Sequence, residues 1–211
     1  MSSLAQKFTA ITTFSIAMGF LEAATVVYLR ALYYPEGFSF PLKTIPIDIL
    51  LVEIGREIST IVMLAFIGSI AGKTLLEKFC YFTYSFGIWD IFYYVWLKLI
   101  SNWPPSLSTW DLLFLVPVPW VGPILAPLIV ALTMTIVAAV IIYLQGKGIY
   151  LKISKLDLML GAFAALLIFA SFVMDFPRMA AQQTPIKYHW EFLICGEFLG
   201  LFVTFRILFL K

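Results

Sequence analysis

Charge is scarce in this chain: Asp, Glu, Lys and Arg together supply only 12% of 211 residues, against 62% hydrophobic ones. A water-soluble domain of this size cannot hide that much apolar surface, so lipid must form part of its solvent. The basic residues stand singly and the formal net charge is only +2. That excludes a polybasic lipid patch and leaves nucleic acid an unexpected partner. No GxxxxGK[ST] or Rossmann glycine pattern occurs, which argues against a nucleotide site. The two cysteines, Cys80 and Cys195, have neither CxxC nor Cys/His spacing. The helix order puts them near opposite leaflets, beyond disulfide reach, and both read as buried thiols. The single histidine, His189, has no Ser or Cys partner in the sequence, and Cys195 lies about one and a half helical turns from it. A nucleophilic triad is therefore disfavoured. Only Lys7 precedes the first apolar run, which is too long for a signal-peptide core and lacks a small-residue cleavage site, so it reads as a retained helix.

What is abundant is long apolar segments. Crossing a hydrocarbon core takes about 20 helical residues, and the sequence predicts six such helices: Phe8 to Tyr33, Ile47 to Ala71, Leu75 to Ser101, Pro123 to Leu144, Leu156 to Asp175 and Trp190 to Leu210. Prolines and glycines set the ends: Pro35, Pro41 and Pro46 around the first loop, Gly72-Lys73 after the second helix, Pro104-Pro105 after the third and Gly122-Pro123 before the fourth. The expected fold is an all-α polytopic bundle of about six transmembrane helices forming a single transmembrane domain. Lys7, Lys73, Lys78, Lys147, Lys152, Lys155, Arg206 and Lys211 fall on one side and Arg30, Lys43, Lys98, Arg178 and Lys187 on the other. This bias predicts both termini inside.

In that orientation the longer, Pro- and aromatic-rich loops face outward. The loop after the third helix carries Ser108-Thr109-Trp110-Asp111 and then Val116-Pro117-Val118-Pro119-Trp120. Ser108 and Asp111 have capping-box spacing, which predicts a short interfacial or re-entrant helix with Trp residues at headgroup level. No internal repeat supports an inverted-repeat transporter.

Six charges fall inside the membrane-spanning body of the predicted helices, more than five residues from either end: Glu22, Glu53, Arg56, Glu57, Asp90 and Glu197. A charge at the centre of a spanning helix costs about 2.5 to 3.5 kcal/mol on insertion scales, so each needs a partner or a purpose. At about 1.5 Å per residue the five acids lie roughly 9 to 16 Å below the outer helix ends, in one layer of the outer half. Glu53 and Glu57 share a helix face, and Arg56 stands beside them as counter-charge. Five acids against one arginine require neutralisation by protons or by a bound cation, including a divalent or transition metal such as iron. His189, beside Glu191, is placed to complete a metal site or donate a proton at the rim. Trp110, Asp111 and Glu191 would form a lid or rim.

Purely structural uses are the alternative. Glu53 with Arg56, or Asp90 with the Tyr94 hydroxyl, would serve as packing glue. Trp89, Trp103, Trp110, Trp120 and Trp190 read more simply as interfacial belt than as a substrate cage. Asp175 and Arg178, flanking Pro177, read as an exposed ion pair.

The stretch Phe86-Gly87-Ile88-Trp89-Asp90-Ile91-Phe92-Tyr93-Tyr94, followed by Thr109-Trp110-Asp111-Leu112-Leu113-Phe114 and Pro117-Val118-Pro119-Trp120-Val121-Gly122-Pro123, resembles a family of bacterial polytopic membrane proteins without known activity. The resemblance implies a multi-pass protein of the bacterial cytoplasmic (inner) membrane. Gly19-Phe20-Leu21-Glu22-Ala23-Ala24 and Arg56-Glu57 resemble part of the Arg-Glu-Gly-x-Glu motifs of high-affinity iron permeases. Glu22 lacks the upstream Arg-Glu, and Glu57 is followed by Ile58-Ser59. The expected function is a carboxylate-rich metal or proton site, serving a metal-dependent enzyme on a lipid or quinone. The alternatives are a cation transporter, or an accessory subunit in a larger membrane complex or homo-oligomer.

Overall fold

The computed structural model describes residues 3–210; Lys211, counted above on the inner side, lies outside them. Six long helices occur where the punctuation predicts them: α1 (Leu4–Tyr33), α2 (Ile47–Ala71), α3 (Leu75–Ser101), α4 (Leu125–Gly146), α5 (Lys155–Val173) and α7 (Trp190–Phe209). A five-residue α6 (Phe176–Ala180) follows α5, and two strands, β1 (Trp110–Phe114) and β2 (Trp120–Pro123), lie between α3 and α4. Four helical spans, namely α1, α4, α5 continued through α6, and α7, are long and apolar enough to cross a membrane.

Local chemistry fixes the helix starts. Ser3 and Ser154 each cap a helix in a reciprocal box, with Gln6 and Asp157 at the third position, and the Thr74 hydroxyl accepts from the Glu77 amide at the start of α3. The helices alternate in direction, and side chains tie their shared ends. Lys7 Nζ donates to the Ala71 carbonyl at 2.8 Å, joining the start of α1 to the end of α2. Arg206 Nε donates to Asp157 at 3.2 Å, joining the end of α7 to the start of α5.

α3 is the central post, with α1, α2 and α4 all packed against it, while α5 and α7 form a second pair. Close approach at α3 depends on small residues. A Cβ on Gly68 would stand 2.7 Å from the Lys78 carbonyl oxygen, and one on Gly19 would stand 2.9 Å from that of Trp89. The absence of side chains there lets backbones meet, as is usual between helices in lipid.

The segment after α3 is not the predicted helix. Trp110–Phe114 and Trp120–Pro123 pair antiparallel, with Asp111 opposite Gly122 and an irregularity between Leu112 and Phe114. Pro117 and Pro119 bar helical continuation. The capping box also fails to form: Ser108 Oγ bonds Ser106 Oγ at 2.9 Å and the Asp111 carboxylate is taken by Arg30. This hairpin joins the two helix groups. Trp120 stands edge-on to Phe169 of α5 at 4.9 Å and stacks over Phe172 at 6.0 Å.

Two smaller expectations change as well. Cys80 is buried but Cys195 is exposed, because α7 buries Leu193, Gly196 and Glu197 and turns residue 195 the other way. Asp175 and Arg178 make no side-chain ion pair. The turn into α6 sends Arg178 Nε to the Thr184 carbonyl at 3.2 Å and leaves Asp175 Oδ2 buried without a hydrogen-bond partner among the described residues.

Candidate functional site

A cavity of about 330 Å³ opens between α1, α2, α3 and the hairpin, toward the hairpin end of the bundle. α1 contributes Glu22, Val26 and Arg30, spaced four residues apart and hence on one side of the helix. α2 contributes Glu53, Arg56 and Glu57; α3 contributes Trp89, Asp90, Tyr93 and Tyr94; the hairpin contributes Asp111. Part of the loop after α1, with Met179, Ala180 and Gln182 around the end of α6, lies over the opening. These two covers are tied by Gln182 Nε2 donating to Thr44 Oγ1 at 2.8 Å.

The carboxylates differ in their partners. Arg56 grips Glu53 with a two-pronged fork, Nε to Oε2 at 2.9 Å and Nη2 to Oε1 at 2.7 Å, and its Nη1 binds Glu22. Such bidentate pairing fixes geometry as well as charge. Arg30 Nη2 donates to Asp111 Oδ1 at 2.7 Å, the Leu112 amide donates to the same oxygen at 2.9 Å, and the Tyr94 hydroxyl approaches Oδ2 at 3.4 Å. The Asp111 side chain is fully buried; burial pushes its carboxyl above the ordinary value, against the opposing pull of the Arg30 guanidinium. Arg30 itself stacks on Trp103, 3.8 Å from the ring centroid.

Among the described residues neither Glu57 nor Asp90 is ion-paired to a guanidinium, and Arg56 acts on Glu57 only through longer-range attraction. Both Glu57 oxygens accept from the Leu115 amide, at 2.9 and 3.2 Å. Asp90, half-buried in the wall, makes no hydrogen bond or ion pair among the described residues. Five carboxylates thus face two arginines, and full ionisation of all five in a low-dielectric wall would be costly.

Comparison with known family models, curated proteins and solved structures finds no match for this chain.

Of the residues predicted from sequence, Glu22, Glu53, Glu57 and Asp90 come together with Arg56. Asp111, expected at the rim, is part of the wall. Glu197 is elsewhere: α7 packs on α5 and only lightly on α4, so Glu197 meets Thr133 across that seam and its Oε2 is buried without a partner among the described residues. His189 Nδ1 and Glu191 Oε1 pair with each other at 3.0 Å in an exposed position. Trp110 stands edge-on to Tyr188, with ring centroids 6.2 Å apart. Tyr94, expected beside Asp90, turns to Asp111. Arg30 was missed, although its place eight residues after Glu22 is a readable signal for a shared side of α1.

Among the described residues no three His, Cys, Asp or Glu side chains gather as a metal-ligating group. Arg56 occupies the position between Glu22 and Glu53 that a metal would need. The two carboxylates left over suit a proton or a small cation held by charge and by the aromatic walls.

A second cavity, about 270 Å³, also has Glu57 in its wall. Its other lining is wholly apolar: Ile58, Ile61, Val62, Phe86, Phe114, Val116 and Trp120.

Proposed function

We propose that this chain is a six-span membrane protein, with both termini inside, whose outer-half cavity binds a cation by exchanging it for protons on Glu57 and Asp90. The observation that carries this is the division of the carboxylates: Glu22, Glu53 and Asp111 are ion-paired to arginines, while Glu57 and Asp90 line the cavity without an ion pair among the described residues. The six-span topology rests on the alternation of six long helices and on the Lys/Arg bias, and a multi-pass inner-membrane location rests on the sequence resemblance. The favoured ligand is an organic ammonium, with protons as the exchanged ion, rather than iron, since Arg56 fills the space between Glu22 and Glu53. Convergence of the acids on one another favours a binding site over an accessory subunit whose acids would face partners.

The test is proton release. Purified full-length chain in nanodiscs, in weakly buffered solution with a pH indicator, is titrated with butylammonium, sodium, calcium and manganese. Butylammonium should release protons, and the Glu57→Gln/Asp90→Asn double variant should release none. Release by no cation, or equal release from the double variant, refutes the reading. Release by manganese alone would restore a metal site.

A further inference from the structure

We infer that the ligand is an amine-bearing amphiphile that enters from the lipid, its ammonium at Glu57 and Asp90 and its chain in the apolar groove beside them; this rests on the cation reading above. The central observation is that Glu57 belongs to two walls at once. One is the carboxylate-lined cavity, and the other is the groove whose remaining lining is apolar. A single carboxylate standing between a polar chamber and an apolar one matches a molecule with a charged head and a hydrocarbon tail.

Depth identifies what lies outside the groove. Counting from Ile47 at about 1.5 Å per residue, Glu57 lies about 15 Å and Val62 about 22 Å down α2. In the six-span arrangement that level is inside the hydrocarbon core. Ile58 and Val62 are 48% and 49% exposed, so the groove opens on the flank of the bundle at a level where only lipid chains are available. At its hairpin end, by contrast, the carboxylate cavity is bordered by two polar-tied segments joined through Gln182 and Thr44.

Charge supplies selectivity. A chain leaving bilayer lipid for a protein groove gains no hydrophobic free energy, because its surroundings are apolar in both places. Discrimination among amphiphiles therefore falls to the head. Excess carboxylate next to Glu57 selects an ammonium over a neutral alcohol or an anion.

The test uses wild-type chain in phosphatidylcholine nanodiscs with octadecylamine carrying a photoreactive diazirine on its chain. Irradiation followed by peptide mass spectrometry should place label at residues 58–62 and 114–120, and excess butylammonium should compete it away. Val62→Trp, which fills the groove mouth, should cut that label about tenfold or more by steric exclusion while leaving butylammonium-driven proton release unchanged. Ile58→Trp is the second variant should Val62→Trp fail to fold. Label spread evenly over all lipid-facing helices, or equal labelling by the matching octadecanol probe, overturns the inference. If butylammonium still releases protons in that case, the cation site stands and only lateral entry falls; if it does not, both fall.

Discussion

Replacing Arg30 with Met isolates the value of the ion pair that anchors the hairpin. Arg30 is 16% exposed at its side chain and Asp111 is completely buried. Breaking such a pair from one side typically costs about 3 to 5 kcal/mol, because a buried charge is left behind. Asp111 would keep the Leu112 amide at 2.9 Å and the Tyr94 hydroxyl at 3.4 Å, so the lower end, about 3 kcal/mol, is expected. For a chain of this size that corresponds to a drop in melting temperature on the order of 10 °C. The chain carries its own reporter: buried Cys80 reacts with a thiol-sensitive dye only on unfolding, once exposed Cys195 has been changed to Ala. Removing Asp111 as well, in Arg30→Met/Asp111→Leu, should recover most of the loss, since no charge then remains unpaired. The pH dependence has a definite sign. Burial already raises the Asp111 carboxyl above its unfolded value, and loss of Arg30 removes the largest opposing influence. The folded variant therefore binds this proton more tightly, and its deficit against wild type should shrink as pH falls and grow as pH rises through the raised value. A single variant as stable as wild type, a double variant no better than the single, or a deficit that widens in acid would each refute the reasoning.

Gly68→Ala places a methyl against the backbone of α3 and should lower stability by about 2 kcal/mol in the same dye assay, whereas Gly161→Ala, with open space around it, should be neutral or slightly stabilising. Arg56→Gln leaves Glu22 and Glu53 without their shared partner. The variant should lose about 3 kcal/mol of stability in the same dye assay, as one-sided loss of a largely buried ion pair does. Tyr188→Phe deletes the buried 2.8 Å contact with Ser171 and should cost about 1 kcal/mol, read as a lower melting temperature without change in proton release.

The helical frame was legible because spans are punctuated by Pro, Gly and cap residues, and every predicted end lies within four residues of the observed one. The hairpin was not, since Ser108 and Asp111 have the spacing of a cap, and only tertiary contacts send their side chains elsewhere. Clustering of Glu22, Glu53, Glu57 and Asp90 followed from depth along the helices. Depth alone could not exclude Glu197, because equal height says nothing of which helices are neighbours. Separating α5 and α7 from the α1–α3 side required packing information that a nearly all-apolar helix surface does not carry in its periodicity.

The tie between Gln182 and Thr44 joins segments 138 residues apart in the chain. During synthesis, α1, α2, α3 and the hairpin can assemble the carboxylate wall long before its roof exists. Only when the α5/α6 region has emerged does the second cover arrive. Until then the carboxylate wall lacks the Met179, Ala180 and Gln182 side of its lining. A chain cut short before residue 182 would thus keep the acids of the wall and lose the tie to Thr44.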